Sequence, residues 1–157
     1  MKQYIQPFIE VCKNVFKDFV GMESEAKVPY FMEKDTKDDF DISGVIGFSG
    51  EARGAVVISM KQKMALDITT ALTGAKHASI DDDVVDAVGE LINIIAGNVK
   101  KGLEEAFKLI ISLPTIVCGK EHSIVWPDNR ARVICIPFSI GNVESFTLSI
   151  ALESSKK

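Results

Sequence analysis

Apolar residues recur every three or four positions near the start of the chain. Ile5, Phe8, Ile9, Cys12, Val15, Phe16 and Phe19 predict an amphipathic helix over 2–20. Pro7 falls early in that helix, where a missing N–H costs little, and Gly21 ends it. Residues 24–34 read as a strand, and the acidic, polar stretch from Asp35 to Asp41 as a loop. The stretches 42–49 and 54–60 are apolar and partly alternating; they predict two strands, with Gly50 to Gly54 as the hairpin between them. Helical spacing returns over 61–73 through Met64, Ala65, Ile68 and Leu72, with Gly74 as its C-cap. Asp81, Asp82 and Asp83 then open a second long helix, where carboxylates complement the helix dipole and cap free N–H groups. That helix is expected to reach about Phe107, and three strands follow near 108–118, 131–138 and 144–152.

The order helix, strands, helix, strands predicts an α+β fold: an antiparallel-rich sheet with long helices packed on it. A faint repeat runs through it. Phe48-Ser49 matches Phe138-Ser139, and Ile58-Ser59-Met60 matches Leu148-Ser149-Ile150, both 90 residues apart. Two degenerate αβββ halves about a pseudo-twofold axis are therefore expected, within a single domain spanning residues 1–157. At 46% hydrophobic residues and a mean hydropathy of +0.16, the chain has ample material for one core.

On the second long helix, the apolar positions cover more than half the circumference, which predicts a mostly buried helix. One stripe escapes: Asp86, Glu90, Asn93 and Gly97 fall within about 60° of one another by the 3.6-residue period. Lys100, Lys101 and Glu104 continue it. Glu90 and Asn93 are one turn apart and present a carboxylate and an amide side by side. Gly97, a poor helix former, would let a partner's backbone or side chain come close. From spacing alone, the ordinary reading of such a stripe is a solvated face, and Gly97 could equally serve close helix packing.

Charge removes other classes. The net charge is −4, and Lys100-Lys101 and Lys156-Lys157 are the densest basic clusters. Nucleic acids and acidic membrane surfaces are disfavoured partners on that ground. The start has no secretory pattern, and no apolar run reaches the ~18 residues of a membrane span. Three widely spaced cysteines, Cys12, Cys118 and Cys135, suit reduced thiols and a cytoplasmic protein. Cys118 and Cys135 read as small hydrophobes in strands. His77 and His122 sit in polar stretches with no further donor at ligand spacing and read as surface histidines, so no metal site is expected. Trp126-Pro127-Asp128-Asn129 reads as a turn whose tryptophan either anchors an interface or folds onto its own sheet.

The segment Asp86-x-x-x-Glu90-x-x-Asn93, with Pro114 following after twenty residues, resembles the signature of the CheC/CheX/FliY chemotaxis phosphatases; the spacing to Pro114 is slightly shorter than the family's. The stretch GELINIIAGN is similar to the CheX type in particular. The resemblance spans most of the chain and implies hydrolysis of the aspartyl phosphate of a CheY-type response regulator. It implies that Asn93 orients the attacking water and that Glu90 pairs with the receiver's lysine. Asp86, Gly97 and Lys101 would support docking. Mg²⁺ would be bound by the receiver, with no cofactor in this chain. It also implies a homodimer, and uncovered apolar strand edges such as those carrying Ile134, Ile136 and Leu148 fit self-association. One site per chain is expected: Glu10 is present in the first helix, but Lys13 stands where an Asn is needed and Asn14 lies one residue out. The competing readings are a non-catalytic module that binds a receiver or scaffold, and a purely structural dimerisation domain.

Overall fold

The structure, a computed structural model, describes residues 2–33, 39–122, 124, 126 and 132–155. Helix α1 spans Lys2–Val15 and widens into a π-turn over Phe16–Val20, closed by Gly21 in the left-handed conformation. Two short strands follow, β1 (Glu25–Ala26) and β2 (Tyr30–Phe31). Then come β3 (Phe40–Gly50), β4 (Ala52–Met60), α2 (Gln62–Thr73) and α3 (Asp82–Gly102). The chain ends with β5 (Leu109–Ile111), β6 (Thr115–His122), β7 (Ile134–Ile140) and β8 (Val143–Ser154).

The eight strands form one antiparallel sheet. From one edge it runs through β1 and β2, both paired to β7, then β8, β4 and β3, and ends at β5 and β6, both paired to β3. The hairpin between β7 and β8 turns on Gly141 and Asn142, both with positive φ, as a two-residue connection matching strand twist requires. Strand alternation turns Ile42, Ile46, Ile58, Ile136 and Leu148, all at 0% exposure, toward the helices. Phe16 enters this core and stacks on Phe146 at 4.3 Å, which stacks on Phe138 at 4.8 Å.

Helix α3 touches α1, α2 and strands β3 to β6. It sits low on the sheet because β3 carries Gly44 beneath it. A methyl group there would lie 3.1 Å from Ile92 Cγ2 and 3.3 Å from Val88 Cγ1. The opposite face of the sheet holds a smaller apolar cluster, Val133, Cys135 and Ala151, covered by Met32 and Trp126. Trp126 thus folds onto its own sheet; residues 127–129 of the expected turn lie outside the described residues. No helix among the described residues is long and apolar enough to cross a membrane.

Several boundaries differ from expectation for local reasons. The strand expected over 24–34 is broken into two dipeptides, because Pro29 between them has no N–H to donate to a ladder. Of the expected loop at 35–41, residues 35–38 lie outside the described residues, and Phe40 and Asp41 already belong to β3. The β3–β4 turn is tighter than Gly50 to Gly54: Gly54 is a strand residue paired with Leu152, and a methyl on it would run into the Ala151 carbonyl. Helix α3 ends at Gly102, not near Phe107, and so spans about 31 Å. Beyond it, Leu103 and Phe107 turn inward to the core. Glu104 therefore does not continue the α3 stripe.

Candidate functional site

The start of α3 is set by Asp81, whose Oδ1 accepts from the Val84 N–H at 3.0 Å. Its Oδ2 lies 2.8 Å from His77 Nδ1. The His77 hydrogen bond, and then the Val84 amide, hold the Asp81 carboxyl below its usual pKa. His77 is thus not an isolated surface residue; its side chain is 10% exposed and partners the helix cap. His77, Asp81 and Asp83 offer ligand atoms within 4.8 Å of one another. The helix cap and its histidine bond already occupy Asp81, which accounts for the group without a cation.

From this start, the 3.6-residue period divides α3 as its sequence requires. Val88, Leu91, Ile92, Ile95, Ala96 and Val99 are buried. Asp86, Glu90, Asn93 and Lys101 are exposed, and Gly97 is half-buried. Among the described residues, Glu90 and Asn93 have no hydrogen bond or ion pair within the chain, so both side chains face outward uncommitted. The stripe is acidic toward the helix N-terminus, through Asp82, Asp83, Asp86 and Glu90, and basic at its end, through Lys100 and Lys101. That order complements the helix dipole and gives the exposed face a graded charge.

Two details sharpen the site. A methyl on Gly97 would meet nothing within 4 Å, so close packing inside the chain does not explain this glycine. A methyl on Gly89, the residue before Glu90, would lie 3.9 Å from Pro114 Cγ and 3.6 Å from Ile116 Cδ1. Pro114 therefore faces α3 at Gly89, beside the Glu90–Asn93 turn. Sequence spacing put twenty residues between Asn93 and Pro114 but carried no sign that Pro114 comes back to the helix that carries Asn93.

Other candidate chemistry is accounted for elsewhere. His122, expected at the surface, is half-buried on the far face of the sheet. Its Nδ1 lies 2.8 Å from the Gly119 carbonyl, so Nδ1–H donates and Nε2 accepts from the Ser43 hydroxyl at 2.6 Å. Ser43 Oγ in turn accepts from Ser59 at 2.7 Å. These are the atoms of a nucleophilic dyad, but Ser43 is at 0% exposure and no substrate reaches it. Cys118 is exposed rather than packed as a core hydrophobe, and desolvation pushes its thiol pKa up, away from a reactive thiolate. A cavity of about 610 Å³ is lined by Met22, Lys61, Lys63, Met64, Asp67 and Phe146 among others, with no residue of the α3 stripe. Its lysines pair with Asp39 at 3.1 Å and Asp67 at 3.7 Å, leaving no uncompensated cation to hold a phosphoryl group.

Helices laid on one face of an antiparallel sheet, with a carboxylate–amide pair turned outward from the most buried helix, define an α+β protein whose candidate site is an open surface, not a cleft. The family model of the chemotaxis phosphatase CheX matches residues 42–139, a span containing all of α3. The chain is 30% identical over 143 residues to the CheY-P phosphatase CheX of Thermotoga maritima, covering 90% of each protein. It is similar to the crystal structure of chemotaxis protein CheX from Vibrio vulnificus, with a TM-score of 0.86 and 29% identity over 96% of this chain and 99% of that one. It is also similar to CheX in the CheX–CheY–BeF3–Mg²⁺ complex from Borrelia burgdorferi, with a TM-score of 0.81 and 25% identity over 96% and 98% of the two chains. The chain belongs to the CheX family.

Proposed function

We propose that this protein hydrolyses the aspartyl phosphate of a CheY-type response regulator, through one site per chain on α3. The observation that carries the reading is the uncommitted Glu90–Asn93 pair on the exposed stripe of an otherwise buried helix. The curated relative is named a CheY-P phosphatase, and a CheX has been crystallised with CheY, BeF3 and Mg²⁺. Beryllium trifluoride on a carboxylate is tetrahedral and stands in for a phosphoryl group.

An acyl phosphate is already labile, so catalysis needs a placed water and compensated charge more than a nucleophile. In the reaction, water oxygen bonds to phosphorus as the bond to the aspartyl oxygen breaks, releasing inorganic phosphate and the aspartate carboxylate. Asn93 orients that water, because an amide donates to one group and accepts from another at once. Glu90 pairs with the receiver's lysine and sets the docking register. Asp86 flanks the pair, Gly97 leaves clearance, and Lys101 supports docking at the far end of the stripe. Mg²⁺ belongs to the receiver, and this chain supplies no cofactor. The protein acts as a homodimer in the cytoplasm. The two halves descend from one αβββ unit, a reading supported by the central pairing of Ile58 with Leu148, which are 90 residues apart like the sequence matches.

The test is phosphate release from a phosphorylated CheY-type receiver with Mg²⁺. Wild type should accelerate it, and Asn93→Ala should lose roughly 10²–10³-fold in rate, the usual loss of a positioning donor. Full activity in Asn93→Ala would sink the assignment.

A further inference from the structure

We propose that Leu113 is the apolar anchor on which the receiver domain seats itself beside the Glu90–Asn93 pair; this rests on the phosphatase reading above. Leu113 is 87% exposed. It is not on a slack loop. Pairing with β3 runs from Phe48–Ile111 to Val45–Thr115, so residues 112–114 lie opposite only residues 46–47. This is a bulge, a device that re-aims a side chain out of a strand. Ser112 clamps one side of it: its N–H donates to the Gly47 carbonyl at 2.9 Å, and its Oγ accepts from the Gly47 N–H at 2.9 Å. The same hydroxyl donates to the Leu113 carbonyl at 2.9 Å. On the other side, Pro114 faces Gly89 of α3, its Cγ 3.9 Å from where a methyl on that glycine would lie.

Leu113 is therefore held outward between a clamped serine and a half-buried proline turned to α3. The backbone that carries Leu113 is thus fixed before any partner arrives, so no loop has to be ordered on burial, which is what an anchor requires. Its place is equally specific. Gly89 precedes Glu90 and lies one turn before Asn93, so the bulge borders the catalytic stripe. A receiver whose phosphorylated face covers Asn93 reaches this bulge next. Ile110, on β5 three residues before Leu113 and 64% exposed, is a built-in contrast. Its neighbours Leu109 and Ile111 turn toward the helices, so alternation sends Ile110 to the opposite face of the sheet.

The experiment measures dephosphorylation rate against concentration of phosphorylated receiver, with Mg²⁺, for wild type, Leu113→Ser and Ile110→Ser. Each protein's melting temperature and light-scattering mass are recorded alongside. Leu113→Ser is expected to raise KM roughly tenfold, as loss of a central anchor does, with kcat within about twofold of wild type. Ile110→Ser should match wild type, and mass and melting temperature should not move. An unchanged KM in Leu113→Ser overturns the proposal. So does a drop in mass, which would mean a second copy of this chain covers Leu113. Failure of the wild-type protein to accelerate phosphate loss overturns the underlying phosphatase reading, and is seen before any variant is compared.

Discussion

Gly97→Ala separates stability from function by sign. The position lies inside α3, five residues before its end, and an added methyl meets nothing within 4 Å. No clash opposes the substitution and no new burial rewards it, so helix propensity decides the outcome. Alanine is favoured over glycine in a helix interior by ~1 kcal/mol. For a chain of this size, that corresponds to a rise of roughly 2–4 °C in Tm. The same methyl would stand one turn from Asn93, in the space the proposed receiver contact occupies. Overpacking a close contact costs ~1–3 kcal/mol, so kcat/KM toward the phosphorylated receiver should fall on the order of tenfold. Differential scanning calorimetry and receiver dephosphorylation on the same preparation measure both. A higher Tm with unchanged activity would refute the claim that the glycine serves docking. A lower Tm would refute the claim that this surface of α3 is open.

The remaining predictions concern the supports of the site. Glu90→Lys should weaken receiver binding, because a cation would then face the receiver's lysine; titration calorimetry against a receiver loaded with beryllium fluoride and Mg²⁺ checks it. Gly44→Ala should cost ~1–3 kcal/mol and roughly 3–10 °C in Tm, since Ile92 and Val88 must shift to admit the methyl. Its activity should fall too, because α3 rises from the sheet with its site. Asp81 has a folded-state pKa below its unfolded value, so its contribution is present above that value and is lost as pH falls through the folded pKa. Thermal melts of wild type should therefore lose stability on acidification below pH ~4 more steeply than those of Asp81→Asn, which keeps a capping oxygen but does not titrate.

Much of the site was legible because it is carried by one helix. Burial of Val88, Leu91, Ile92 and Ile95 against exposure of Asp86, Glu90 and Asn93 follows from the 3.6-residue period and needs no knowledge of what packs on the helix. The caps at Gly21, Gly74 and Asp81 are equally local, since each answers backbone groups within one turn. The resemblance to chemotaxis phosphatases rested on this same local pattern.

Local spacing determined the α+β class, most element positions, and the face of α3 that carries Glu90 and Asn93. It could not determine which distant segments meet. That Pro114 faces Gly89, that Gly54 faces the Ala151 backbone, and that His122 bonds Ser43 from 79 residues away were decided only by the assembled sheet. So was the bulge that holds Leu113 outward, which arises because residues 109–122 must follow β3 in two pieces. Periodicity reports how a segment divides between core and water. Pairing between strands depends on the whole set of burials and hydrogen bonds being satisfied together, and no single segment contains that information.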